Sequence, residues 1–156
     1  PLPEAQLDRF MMRLSLGYPT PEETARVLAQ RGQAPQEALT PCVTLQELED
    51  WQRAVYAVTL SAPVCAYMAD LAEATRHMDN VRLGVSTRGV LALSRACQSW
   101  ALMAGRDFVT PDDVKELAVP LWAHRLVVRS ALDRAQAQRA AVEEVLARVS
   151  VPTEDA

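Results

Sequence analysis

Arginine is an unusual residue with which to open a helix. In the run Gly84-Val85-Ser86-Thr87-Arg88-Gly89, Gly84 breaks the chain, Ser86 has the type and place of an N-cap, and a long apolar-periodic segment follows. Arg88 then falls in the first turn, where free N–H groups and the helix dipole disfavour a cation. A cation held there needs solvent, a carboxylate or an anionic ligand. Phosphate suits both the guanidinium fork and the unpaired amides of a helix start. At 100° per residue Arg95 lies within about 20° of Arg88, while Leu93, Cys97, Trp100 and Ala104 cluster on the other side. Three readings stay open for Arg88: a solvated side chain, an ion pair with an acid of residues 44–79, or contact with a phosphate. The chain contains no glycine-rich phosphate loop, so in the third case the nucleotide is held by other residues than these.

Arg9 is the second candidate. It ends a short helix just before an alternating stretch and stands beside Asp8. It reads either as half of a surface ion pair, worth little, or as an arginine presented to a neighbouring subunit's phosphate. Metal chemistry has no support. Cys42, Cys65 and Cys97 are far apart, His77 and His124 are isolated, and no zinc-like or disulfide spacing connects them.

The elements that must position these residues are mostly helical. Residues 1–10 read as a short helix with Pro3 in its first turn. Met12, Leu14, Leu16 and Tyr18 alternate with Arg13, Ser15 and Gly17, the pattern of a strand over residues 11–18. A lone strand leaves its backbone unpaired, so its sheet is expected outside this sequence. Thr20 and Pro21 open a helix that Gly32 ends, and residues 33–43 read as a linker.

Beyond it, Thr44 with Glu47 forms a capping box ahead of a stripe of Leu45, Leu48, Trp51, Val55 and Val58. Ser61 and Pro63 restart the chain into a helix carrying Val64, Tyr67, Leu71, Ala74 and Met78. The helix that bears Arg88 runs from Ser86 to Ala104, with Gly105 as its stop. Thr110 then caps a helix with acids in its first turn, which Pro120 is expected to limit. Residues 120–126 form a short further piece, and residues 131–149 a last amphipathic helix with Leu132, Ala135, Val142, Val145 and Val149; the tail is expected to be loose. The three tryptophans are expected in or beside the core of the resulting bundle.

Composition narrows the function classes. The 156 residues carry a net charge of −4 with 49% hydrophobic content, the balance of a soluble globular chain. Residues 44–79 hold six acids against two arginines, and residues 81–149 ten bases against seven acids. So mild a polarity argues against a nucleic-acid binder, which needs a strongly basic face. No apolar run approaches membrane-spanning length and no secretory signal is visible, which makes a cytoplasmic address the default. The chain opens at Pro1 without a methionine, as expected of a processed protein or a piece of a longer one.

Two blocks carry a family resemblance. "LPEAQLDRFMMRLSLGYP" resembles the segment that follows the sensor-1 strand in AAA+ ATPases of the MoxR family. "LGVSTRGVLALSRACQSWALMAGRDFVTPDDV" resembles that family's sensor-2 helix and the helix after it, and residues 44–77 are similar to the first helices of its lid. The match spans about residues 2–128. It implies a mainly α fold: a small helical bundle, the AAA+ lid, preceded by a helix–strand–helix remnant of the α/β AAA+ core. Residues 1–32 would be that core piece, 33–43 a linker, 44–128 the lid with its sensor-2 helix, and 129–156 a C-terminal helix and tail. The resemblance further implies a hexameric, chaperone-like ATPase using ATP and Mg2+, whose P-loop and Walker B acid lie upstream. Arg88 matches the sensor-2 arginine, Ser86 the cap before it, and Arg9 the arginine finger that acts on a neighbouring subunit. Thr87 stands where the family usually has Pro or Ser, and Gly89 where it often has Ala. Partners would be a von Willebrand factor A-type protein and a client complex, with no nucleic acid. By itself the chain is expected to hydrolyse nothing and to hold no cofactor. The rival reading is a free-standing helical interaction module without nucleotide.

Overall fold

The computed structural model describes residues 3–29, 40–130 and 133–152. Two short helices come first, α1 (Glu4–Leu7) and α2 (Pro21–Ala29). The body is built from α3 (Leu45–Ala57), α4 (Ala62–Arg76), α5 (Thr87–Met103), α6 (Pro111–Trp122) and α7 (Arg134–Arg148). A two-stranded antiparallel ribbon of β1 (Val81–Leu83) and β2 (Val127–Val128) joins the α4–α5 connection to the segment before α7. A 3-10 turn at Ala123–Arg125 leads from α6 into β2.

Local chemistry sets most helix starts. Thr44 and Glu47 close a reciprocal capping box on α3, and Thr110 and Asp113 do the same on α6. Thr20 and Glu23 exchange the same pair of bonds at the start of α2. Gly105, at φ +74°, ends α5 in the left-handed region that favours glycine. The core gathers Tyr67, Met68 and Leu71 of α4, Leu93 and Cys97 of α5, Val114, Leu121 and Trp122 of α6, and Val142 and Val145 of α7, all buried. The most extensive packing is between α5 and α6. Thr59 and Phe108 form a parallel bridge that fixes the end of α3 against the α5–α6 loop.

Several expectations are corrected. Residues 11–18 pair with no strand among the described residues: they lie outside any helix or ladder here, and Leu16 and Tyr18 are fully exposed. Alternation specifies a strand only when an edge is available to take its backbone groups, and no described residue offers one. The backbone of that stretch is tied to the bundle by the Arg13 amide, which donates to the Pro120 carbonyl at 2.9 Å. The stripe on α3 is not core either, since Leu45, Leu48 and Trp51 stay exposed and only its end, at Val55 and Val58, turns inward. Trp122 is fully buried, but Trp51 and Trp100 are exposed. On α5 the inward face is Gly89, Leu93, Ala96, Cys97 and Ala101, so Leu93 and Cys97 are buried as expected while Trp100 and Ala104 are exposed.

Pro120 does not end α6, which continues to Trp122. The final helix starts at Arg134 after an Asp133 cap, Ala135 faces solvent, and Gln138, Ala141, Val142 and Val145 face in. Gly32, most of the 33–43 linker, Leu132 and the end of the tail lie outside the described residues.

Candidate functional site

The start of α5 is held in place from three directions. Behind it, Gly84 passes so close to α4 that a Cβ would sit 2.7 Å from Arg76 Cγ and 2.9 Å from Arg76 Cα. That close approach lets the Thr75 hydroxyl accept the Val85 amide at 3.0 Å, and lets Arg76 Nε and Nη2 donate to the Val85 carbonyl at 3.2 and 3.0 Å. Below it, Trp122 Nε1 donates to the Gly89 carbonyl at 2.9 Å. A Cβ on Gly89 would lie 2.8 Å from Val85 Cγ1 and 3.2 Å from Arg125 Cδ, so the first turn rests directly on these side chains.

The third direction is the amino-terminal segment. Ser86 caps α5 as expected, its Oγ accepting the Gly89 amide at 3.1 Å. The same hydroxyl gives its own proton to Asp8, 2.8 Å from Oδ1. Asp8 also lies 3.6 Å from Arg88 Nη1 and receives Arg125 Nη1 at 3.0 Å. The helix has no acid in its first turn, and the Asp8 carboxylate brings a negative charge there from the other end of the chain.

Arg88 therefore faces Asp8, not an acid of residues 44–79, and its side chain remains 62% exposed. Arg95 does not join it: its guanidinium stacks over the Tyr56 ring, 4.7 Å from the centroid. Arg9 is exposed, in the turn after α1, and its side chain makes no hydrogen bond or ion pair among the described residues. Asp8 is not its partner, because that carboxylate is committed to Ser86, Arg88 and Arg125. Between α1 and residues 83–87 lies an open cleft of about 600 Å³, with Asp8, Arg76, Ser86 and Arg125 in its wall.

Arg125 and His124 are site neighbours that spacing could not reveal, being more than a hundred residues from their partners. The Arg125 side chain is 2% exposed. His124 is buried, with Nε2 3.1 Å from the Phe10 carbonyl and Nδ1 without a partner among the described residues. Burial pushes its basicity down, and the charges of Arg125 and Arg13 add to that against the opposing Phe10 bond and Asp8. A carbonyl only accepts, so Nε2 carries the proton in the neutral ring. His77 is exposed beside Glu73. Among the described residues no three His, Cys, Asp or Glu side chains converge as a metal site. The site thus sets the cations Arg88 and Arg125 beside a helix start, with the Asp8 carboxylate between them.

Residues 73–146 match the AAA lid domain family. Over nearly its whole length the chain is similar to the MoxR-type proteins. The YeaC protein of Bacillus subtilis is 38% identical over 157 residues, which are 99% of this chain and 49% of that protein. The chaperone MoxR1 of Mycobacterium tuberculosis is 32% identical, across 97% of this chain and 43% of its own length. The chain carries an AAA lid domain of the MoxR type.

The fold agrees: a crystal structure from Cytophaga hutchinsonii assigned as an ATPase superposes with a TM-score of 0.81 at 28% identity, covering 98% of this chain and 50% of that one. The chain spans about half the length of the curated relatives it matches. The lid match begins within α4 and ends within α7, so it takes in the start of α5 with Ser86 and Arg88 and also Arg125, while Asp8 and Arg9 precede it. No helix among the described residues is long and apolar enough to cross a membrane.

Proposed function

We propose that this chain is the lid and finger-bearing part of a MoxR-type chaperone ATPase, in which Arg88 serves as the sensor-2 arginine and Arg9 as the arginine finger. The observation that carries the reading is the state of Arg88. It stands at a capped helix start, mostly exposed, in an ion pair whose 3.6 Å separation is long for a charge-assisted hydrogen bond. Such a pair is worth at most about 1 kcal/mol, so a phosphate can take the place of Asp8 at little cost. The same surface presents Arg9 without a partner among the described residues.

In this reading ATP and Mg2+ are held by a P-loop half that these residues do not supply. Arg88 approaches the γ-phosphate of its own subunit's nucleotide, and Arg9 that of a neighbour in a hexamer. Both stabilise charge on the transferring phosphoryl group. Lid movement then couples hydrolysis to the maturation of a client complex in the cytoplasm, together with a von Willebrand factor A-type partner.

The test is ATP turnover by the assembled ATPase carrying Arg88→Ala. A loss of roughly a hundredfold is expected from removing one such electrostatic contact. Near-normal turnover in a folded protein overturns the sensor-2 role. For Arg9, subunits with Arg9→Ala are mixed with P-loop-dead subunits. Activity should follow the interfaces that pair an intact nucleotide site with an intact finger.

The exposed stripe of Leu45, Leu48 and Trp51 on α3 favours a second reading, a helical interaction module that needs no nucleotide. Under it, Arg88→Ala changes no turnover, and substitution of the α3 stripe abolishes partner binding.

A further inference from the structure

Arg125 is a buried cation that the function above does not use. Its Nε donates to the Leu121 carbonyl at 2.8 Å, one turn back along its own segment. Its two terminal nitrogens cross to the amino-terminal segment. Nη1 donates to the Asp8 carboxylate at 3.0 Å and also to the Asp8 carbonyl. Nη2 donates to the Phe10 carbonyl at 2.7 Å and the Met11 carbonyl at 3.3 Å. These acceptors bracket Arg9 on both sides of the chain. Two more bonds hold the same stretch to the same part of the bundle: His124 Nε2 to the Phe10 carbonyl, and the Arg13 amide to the Pro120 carbonyl.

The clamp acts on main-chain oxygens, so the Arg9 side chain is left free while its backbone is fixed. The planar fork of a guanidinium spreads five N–H donors over a fixed geometry, where an ammonium has three at a single point. The Asp8 carboxylate that Arg125 holds is also the one that Ser86 and Arg88 engage. The turn bearing Arg9 and the start of α5 therefore share one anchor.

We propose that Arg125 is a positioning residue for Arg9: from the 3-10 turn of the lid it fixes the backbone on which the finger stands, so that the finger is carried with the lid. The inference rests on the finger role of Arg9 given above.

Two measurements test it. In the chain as it stands, Arg125→Lys should speed amide hydrogen exchange at Arg9, Phe10 and Arg13 by at least about tenfold, while the amides of α5 and α6 keep their rates. Unchanged exchange at those three amides overturns the clamp. If Arg125→Lys loosens α5 and α6 as well, Asp8→Asn, which removes the charge but keeps one side-chain oxygen as acceptor, is judged by exchange at the same three amides. In the assembled ATPase, Arg125→Lys is placed either in the subunit that donates the finger or in the one that binds the nucleotide. A positioning role lowers kcat at the neighbour's site, by roughly a hundredfold for a displacement near 1 Å, with KM for ATP unchanged and only from the donating position. Equal loss from both positions, or loss from neither, overturns the proposal. Should Arg9→Ala in the donating subunit prove silent too, it is the finger reading that fails.

Discussion

Ser86 gives its hydroxyl proton to Asp8 at 2.8 Å while its oxygen takes the Gly89 amide, so one side chain both caps α5 and binds the segment 78 residues before it. Asp8→Ala should thus act at two places. It leaves the Arg125 guanidinium buried with carbonyls but no counter-charge and removes the anion at the start of α5. A loss of about 1–3 kcal/mol in urea unfolding is expected. Arg88→Ala, exposed and weakly paired, should cost less than about 1 kcal/mol in the same assay. The opposite ranking would show that Asp8 is dispensable to the fold.

Gly84→Ala should destabilise the protein by about 1–3 kcal/mol, because the added methyl meets the α4 backbone and not merely a flexible side-chain end. Chemical denaturation measures it directly. No change would mean that the turn after β1 shifts freely, and with it the Thr75–Val85 bond.

Acid should weaken the α6 cap. Burial alone would raise the Asp113 carboxyl, but the Arg106 guanidinium at 2.6 Å and the hydrogen bonds from Thr110 outweigh it and hold it below the ordinary value of 3.8. A depressed carboxyl contributes stability above its unfolded value, and that contribution fades as pH falls through the folded one. Thermal unfolding from pH 5 to pH 2 should therefore show a drop that Asp113→Asn does not share.

His124 works at milder pH. Its folded-state basicity lies below the ordinary 6.5, so the unfolded chain binds the proton first as pH falls. Stability is unaffected above that value and declines through the window beneath it. His124→Gln should flatten the decline between about pH 6.5 and pH 5. A wild-type stability constant across that window would contradict the buried neutral ring.

The thiols should separate into two classes. Cys42 and Cys65 are exposed, whereas Cys97 is buried, and desolvation together with the nearby Asp113 charge pushes its thiol up to about 12. Only the thiolate reacts quickly. A disulfide reagent at neutral pH should modify two thiols in the native protein and the third only on unfolding. Three fast thiols would mean that the α5–α6 packing opens readily.

The sequence by itself determined the helices and most of their starts. Thr44 with Glu47, Thr110 with Asp113, and Ser86 ahead of Gly89 are bonds between residues three apart, closed by the chain's own geometry whatever lies beyond. The family blocks around Arg9 and Arg88 were legible for the same reason, as contiguous runs. The tertiary structure alone decided which apolar surfaces are buried and which ionic partners meet. Trp122 and Trp100 are the same residue type on neighbouring amphipathic helices, yet one is fully enclosed, with its Nε1 on the Gly89 carbonyl, and the other is exposed. The alternation of residues 11–18 meets no edge among the described residues and takes part in no ladder there. Arg125 finds Asp8 across 117 residues, a distance over which spacing carries no signal. Burial of a guanidinium depends on how many acceptors the folded chain brings to it, and that number exists only once α6 and the amino-terminal segment have packed together.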